Sequence, residues 1–287
     1  YRRQRQMCIR DRSWRDRIED FNYGVRFTLA DGQRKVLKYP NESGDIYSWY
    51  NNKLDGTIWG YTTVGIAQTQ EEMNAHLANN KPNWGSNWGA GDIMYADLNG
   101  DGEVTSGSKT LNDHGDLKVI GNSYARYNFG FTVDGSWRGL DFSIFLQGTM
   151  KRDYWLDGPY FWGASGDEWQ SACFTEHLDY WTPEHTNAYY PKPYFGNIKK
   201  NQEVQSGYLQ NAAYLRVKNV QVGYTLPKSW TKKAAMESVR FYVSGDNLLT
   251  WTGISSIFDP ETLGGDWGPG KLYPLQRTLS VGVNVNF

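Results

Sequence analysis

No run of about 18 apolar residues occurs in the chain, so the sequence holds no helix suited to crossing a bilayer. That excludes one kind of membrane protein and leaves another open, because a transmembrane barrel alternates apolar and polar residues and is hydrophilic on average. Charge imbalance is missing too. The 30 Lys and Arg against 31 Asp and Glu leave a net of -1, which gives no reason to expect a nucleic-acid partner. The two cysteines, Cys8 and Cys173, are too few for a disulfide framework. The four histidines, His76, His114, His177 and His185, stand without metal-site spacing. No phosphate-cradling glycine loop precedes a helix. Acids such as Asp167 and Glu168 are neighbours on a loop, whereas glycoside hydrolysis needs two carboxyls across a cleft. Catalysis is not expected.

Aromatic residues are in excess: 13 Trp, 20 Tyr and 12 Phe. Such a load marks interfaces, sugar-binding surfaces or membrane girdles. Residues 1–13 are strongly basic and lack the apolar centre of a signal peptide. They read as a leader foreign to the native protein, since the run from Met7 to Arg12 is similar to the translation of a transposon end used in preparing sequencing libraries.

Period-two alternation recurs six times. Phe21, Tyr23, Val25, Phe27 and Leu29 alternate with polar or small residues, as do Tyr127, Phe129, Phe131 and Val133. Leu140, Phe142, Ile144 and Leu146 form a third set, with Phe145 as a violation, and Val220, Val222, Tyr224 and Leu226 a fourth. Val239, Phe241 and Val243, then Leu279, Val281, Val283, Val285 and Phe287, complete the six. Each is a strand with one greasy and one wet flank. Leu215 and Val217 are out of phase with Val220, which predicts a bulge near Lys218-Asn219. Asp134-Gly135-Ser136 carries hairpin chemistry and is expected to join two strands tightly. The link from Pro227 to Ser238 is modest and holds one helical turn. The stretches 40–123, 151–211 and 251–275 are long and need a functional reason. Within the first, Thr69-Gln70-Glu71-Glu72 is a capping box opening a short helix to about Leu77.

Alternation alone fits a soluble antiparallel sandwich as well as a membrane barrel. Three features favour the barrel. The strands run about nine residues or more, enough to cross a tilted wall. Gly, Asn and Thr dominate the polar flank, and the last strand ends on the aromatic Phe287. All long connections then fall at one end, as outside loops opposite short periplasmic turns, which puts the C-terminus on the periplasmic side. The greasy flank, Val283 included, is expected to face lipid, with Asn284 on the wet side.

Four blocks carry a family likeness. The first is Gly56-Thr57-Ile58-Trp59-Gly60-Tyr61 with Gly65-Ile66. The second runs from Asp97-Leu98-Asn99-Gly100-Asp101-Gly102-Glu103-Val104 to Ile120-Gly121-Asn122-Ser123. The third is Tyr214-Leu215-Arg216-Val217-Lys218-Asn219-Val220-Gln221-Val222-Gly223-Tyr224-Thr225-Leu226-Pro227. The fourth is Ser244-Gly245-Asp246-Asn247-Leu248-Leu249-Thr250-Trp251, followed by Asp259-Pro260-Glu261 and Tyr273-Pro274. In order and spacing residues 14–287 resemble the C-terminal part of SusC/RagA TonB-linked outer-membrane proteins. The resemblance implies about six strands of a larger antiparallel transmembrane β-barrel, one of about 22 strands, with long extracellular loops. It also implies a plug and a TonB-contacting segment outside this chain, and a SusD-like surface lipoprotein acting as a lid. The implied activity is TonB-driven import of large nutrients, glycans above all, with peptides also open. The competing reading is a soluble β-sandwich carbohydrate-binding or adhesin module.

Two candidate sites follow. Asp97, Asn99, Asp101 and Glu103 have the spacing of a calcium loop, with Gly102 at the turn. The twelfth position is Ser108, so Asp113 or Asp116 would have to substitute, and the alternative is an Asx-rich turn without Ca2+. Tyr154, Trp155, Tyr160, Phe161, Trp162 and Trp169 crowd one long loop beside Asp153, Asp157 and Asp167. Flat rings with carboxylates suit an oligosaccharide, and the alternative is that the rings pack the loop on itself or against the lid.

Overall fold

The computed structural model describes residues 2–163, 173–194, 196, 199–264, 268 and 270–287. Seven long strands form one antiparallel meander: β1 (Arg2–Ile18), β2 (Phe21–Lys38), β3 (Arg126–Trp137), β4 (Leu140–Lys151), β5 (Gln210–Thr225), β6 (Ser238–Gly253) and β7 (Thr278–Asn286). Within this meander each pairs with its neighbours in sequence, and β5 also takes the short strand Asp153–Tyr154 at its cap end. The sheet does not close, and β1 and β7 are its edges. All six alternating segments are strands, most of them longer than the alternation that announced them. The seventh, β1, runs through residues 2–13. Ladder hydrogen bonds join main chains and carry no record of where a segment came from.

The bulge falls where the phase slip put it. Phe145 opposes Asn219 and Leu146 opposes Val217, so Lys218 is the extra residue. One turn differs from expectation. Arg138 and Gly139, at φ +47° and +92°, connect β3 to β4, and Trp137 opposes Leu140. Both positive φ angles suit a two-residue hairpin turn. Asp134-Gly135-Ser136 lies inside β3 instead. A Cβ on Gly135 would come within 2.5 Å of the Phe142 ring and 3.1 Å of the Phe21 ring. That glycine serves cross-strand aromatic packing, not a turn.

The short connections, at 19–20, 138–139 and 226–237, lie at one end of the sheet, and the last holds a helical turn at Lys228–Thr231. The long ones, 39–125, 152–209 and 254–277, lie at the other. They build a cap with small sheets of its own: Thr57–Gly60 with Lys118–Asn122, Thr63–Ile66 with Ile93–Tyr95, and Lys81–Pro82 with Glu103–Val104. Helix α1 (Gln70–Leu77) starts as expected, with the Thr69 hydroxyl accepting the Glu72 N–H at 3.1 Å. Glu72 reaches back one residue further than a strict capping box, accepting from the Gln68 N–H.

The main apolar core sits in this cap. Ile46, Tyr61, Ile93, Tyr95, Phe161, Trp162, Tyr190, Tyr208 and Phe258 are buried together. Among the described residues no helix is long and apolar enough to cross a membrane, which says nothing of a barrel.

Candidate functional site: a two-faced wall and its cap

Register sets the greasy flanks in rows. Val25, Val133, Ile144, Val220, Gly245 and Leu279 oppose one another in sequence across β2 to β7. Phe27, Phe131, Leu146, Val217 and Leu249 make the next row towards the cap. Phe21, Trp137, Leu140, Tyr224, Phe241 and Val283 form the row nearest the short turns, and Leu29, Phe129, Gly148, Leu215 and Trp251 a row near the cap. Eight residues separate these two outer rows on β2, about 26 Å along the strand at ~3.3 Å per residue. At a tilt of about 40° the apolar band is then roughly 20 Å tall, close to the ~25 Å of outer-membrane barrels.

Among the described residues nothing covers this band. Val222 and Val243 oppose one another mid-sheet, yet stay 46% and 55% exposed. Among the described residues no second sheet packs against it. A sandwich would bury this flank in its core, so the sandwich reading fails. An uncovered apolar face this large is a membrane or protein contact surface.

The opposite flank is polar and ion-paired. Arg240 on β6 holds Asp141 on β4 with Nε to Oδ2 at 2.8 Å, and Arg26 on β2 holds Asp11 on β1 with Nη2 to Oδ2 at 2.7 Å. The densest network lies where the bulge turns Lys218. Arg216 is 3% exposed and donates to Thr250 at 2.7 Å, Glu261 at 2.8 Å and Asp259 at 2.8 Å. Lys218 donates to Glu261 at 2.9 Å and Asn247 at 3.3 Å, and Asn219 to Asp246 at 2.8 Å. The third and fourth sequence blocks therefore meet on the polar face and staple loop 254–277 to the wall. A cleft of about 760 Å³ opens beside this staple, lined by Arg216, Thr250, Trp251, Phe258, Asp259 and Arg277.

The first and second blocks meet in the cap. Thr57 opposes Asn122, and Gly56 takes φ +81°. A Cβ there would reach 2.6 Å from the Tyr124 nitrogen, so only glycine fits. Deeper in the cap Lys200 and Asp92 form a fully buried ion pair at 2.7 Å. Asn201 and the Gly89 N–H also donate to Asp92. Lys200 lies 4.3 Å from the Tyr194 ring centroid. Burial raises the phenols of Tyr95, Tyr190 and Tyr208 well above their ordinary value, so all three stay neutral.

The crowded aromatics divide between core and surface. The Tyr154 hydroxyl donates to the Leu263 carbonyl at 3.0 Å. Trp155 is half-buried against the core and tilted on Trp162, ring centroids 6.0 Å apart. Trp162 is 7% exposed and packs on Tyr208 at 4.8 Å. Tyr160 is exposed and stacks on Phe174 at 5.8 Å. Trp169, with Asp167 and Glu168, lies outside the described residues. Tyr189, Tyr190, Tyr208 and Phe258 complete the cluster from distant loop segments, and no periodicity announced them. His177 is a strut here: its Nδ1 accepts the Phe174 N–H at 3.0 Å, and Nε2 lies 3.1 Å from the carbonyls of Tyr160 and Phe161.

Asp97, Asn99, Asp101 and Glu103 form one tight loop. The Asp97 carboxylate accepts the N–H groups of Asn99, Gly100 and Gly102 at 3.0, 2.6 and 2.7 Å. These bonds hold its carboxyl below the usual range, that from Gly102 most. Asp101 accepts the Glu103 N–H at 2.9 Å, and Asp116 those of Leu98 at 2.6 Å and Thr105 at 2.7 Å. Among the described residues no three His, Cys, Asp or Glu side chains converge as metal ligands do.

No protein-family model matches the chain. TonB-dependent receptor P3 of Formosa agariphila is 26% identical over 94% of this chain and 27% of its own length. TonB-dependent receptor P26 of the same organism is 27% identical over 94% of this chain and 28% of its own length. SusC of Bacteroides thetaiotaomicron, another TonB-dependent receptor, is 22% identical over 94% of the chain and 25% of itself. Among solved structures, the RagAB peptide transporter superposes with a TM-score of 0.67 at 20% identity, over 99% of this chain and 29% of that one. The RagAB importer in its open-open state gives 0.68 at 19% identity, with the same two shares. The chain thus spans a little over a quarter of the proteins it matches, and these are receptors and transporters, not enzymes. The chain is similar to TonB-dependent receptors of the SusC/RagA type, and its seven strands form an open sheet that matches a segment of their barrel wall.

Proposed function

We propose that the intact protein imports large nutrients, glycans or oligosaccharides first, across the outer membrane of a Gram-negative cell. The carrying observation is the two-faced wall: a band of apolar rows with nothing over it among the described residues, backed by a polar, ion-paired face that suits a water-filled lumen. Outer-membrane lipid contacts the apolar band. The short turns and the end of β7 face the periplasm, and the cap faces outward. A SusD-like surface lipoprotein closes over the cap as a lid, and the TonB complex acts through parts of the protein outside this chain. The glycan reading rests on the resemblance that the four sequence blocks carry. Peptide cargo is the second reading, favoured by the likeness to a peptide importer.

Deleting the gene and its lipoprotein partner tests the proposal. Growth on one polysaccharide or its oligosaccharides should be lost while growth on the monosaccharide persists. Loss of growth on peptides alone would move the assignment to the second reading. Recovery of the intact protein in the soluble fraction would end both.

A further inference from the structure

A notch opens in the apolar face of the wall at its short-turn end. It has a volume of about 290 Å³ and is lined by Phe21, Trp137, Leu140 and Phe142. The first three oppose one another in the row beside the short turns, and Phe142 belongs to the next row. Gly135 lies under both phenylalanine rings, which close on it from the strands at either side. Tyr23 steadies one of them, stacked on Phe21 with ring centroids 5.9 Å apart. Every lining side chain is apolar, so the notch offers water no hydrogen bond and suits an apolar occupant.

A cation stands at the turn end of this notch. The Arg138 guanidinium carbon is 5.4 Å from the Trp137 ring centroid. Its Nε donates to Asp20 at 2.9 Å, and its two terminal nitrogens make no hydrogen bond among the described residues. Arg17 lies 4.0 Å from the same Asp20, so two guanidinium groups share one carboxylate. From the turn towards the middle of the band the order is therefore open guanidinium edge, indole, apolar notch. A membrane phospholipid runs in the same order, from phosphate through glycerol to alkyl chain. Guanidinium is the side chain best shaped to hold a phosphate, and indoles favour the headgroup level of a bilayer. The notch is also continuous with the uncovered apolar rows, where lipid is present along the whole wall and a protein partner would need a matched apolar knob and anion at one spot.

We propose that the notch is a fixed site for one phospholipid of the periplasmic leaflet. One alkyl chain lies against Phe21, Trp137, Leu140 and Phe142, and the phosphate sits on the Arg138 guanidinium. This rests on the membrane placement proposed above, with the short turns towards the periplasm.

The test uses the purified full-length receptor in detergent, incubated with phosphatidylglycerol, with diacylglycerol of the same chains, or with lipid A, and read by native mass spectrometry. A single phosphatidylglycerol should stay bound, retained about tenfold better than diacylglycerol, the scale of one hydrogen bond between charged groups. Arg138→Asn removes the guanidinium, while Asn followed by Gly suits the positive φ of both turn residues. That variant should melt as wild type and hold phosphatidylglycerol no better than diacylglycerol. Leu140→Trp fills the notch and should lower retention of both lipids. Phe241→Trp, in the same row on β6 and outside the notch, should retain phosphatidylglycerol as wild type does. Undiminished retention by both Arg138→Asn and Leu140→Trp overturns the proposal. So does a preference for lipid A, which belongs to the opposite leaflet, or a receptor dimer that Leu140→Trp dissolves, which gives the notch to a second copy. All three leave nutrient import standing, because growth reads import separately. A retained phospholipid in a receptor whose deletion spares growth on every polysaccharide and peptide would sink import and keep the site.

Discussion

The Arg216 guanidinium on β5 meets the Asp259 carboxylate of loop 254–277 at 2.8 Å, with side chains 3% and 8% exposed. Glu261 takes the other arm of the same guanidinium and also holds Lys218, the residue that the bulge inserts. A flaw in strand register thus positions the second cation of the staple. Replacing Arg216 by Met leaves two carboxylates facing one lysine. Breaking a buried pair in this way costs about 3–5 kcal/mol. Thermal melting of the full-length receptor in detergent should show Arg216→Met far less stable than wild type, and the Arg216→Met/Asp259→Leu pair partly restored. Equal melting of all three would show that the staple does not hold the loop.

The rows order the cost of a charge by depth. Ile144 lies in the third of the five rows running from Phe21 to Leu29, so Ile144→Arg should destabilise the intact barrel by about 2–4 kcal/mol. Val283 sits in the row beside the short turns, where the same change should cost about 0–1 kcal/mol. Ser143→Arg, on the wet flank, should cost less than Ile144→Arg. Urea titration of refolding into vesicles reads all three, and equal costs at 143 and 144 would reverse the facing.

The strands were legible because period-two alternation is a local property, and Lys218 was legible as a phase slip between Val217 and Val220. The β3–β4 turn was not. Asp134-Gly135 and Arg138-Gly139 both carry hairpin chemistry, and only the Phe142 and Phe21 rings, one a strand away and one far back in the chain, decide between them. The cap core was hidden for the same reason. Asp92 finds Lys200, and Tyr95 finds Gln205, across more than a hundred residues. The crowd of aromatics from Tyr154 to Trp162 was visible; which rings would be buried depended on Tyr190, Tyr208 and Phe258, and no spacing rule links those.

Gly56 fixes the meeting of the first two blocks. Its φ of +81° and the Tyr124 nitrogen behind it leave no space for a methyl group. Gly56→Ala should cost more than the ~1 kcal/mol of an ordinary glycine change. Limited proteolysis should then cut the cap of the variant within 39–125 while the strands stay protected. An unchanged digestion pattern would contradict this.

The turn-rich part of the cap should loosen in acid. Backbone N–H groups hold the Asp97 carboxyl low, and the Ser108 hydroxyl does the same for Asp113. A carboxyl depressed in the folded state contributes stability above its unfolded pKa, about 3.9, and loses it as pH falls through the folded value. Cap tryptophan fluorescence should therefore hold steady from neutral pH to about 4 and change below it, and Asp97→Asn should remove part of that change. A transition centred near neutral pH would contradict this assignment.

Because its N–H partners already occupy the Asp97 carboxylate, the loop should keep its form without a cation. Calorimetry with calcium on the intact receptor should give no heat beyond dilution. A saturable heat lost in Asp101→Ala would reassign the loop as a calcium site.

Lipid-borne quenching tests the two-faced wall most directly. Single cysteines at 143 and 144, carrying a fluorescent label in the reconstituted full-length receptor, are exposed to brominated acyl chains and to aqueous iodide. The label at 144 should be quenched by the brominated lipid and spared by iodide, and the label at 143 the reverse. A label at 144 that iodide reaches and lipid does not would mean that the apolar rows do not face the membrane.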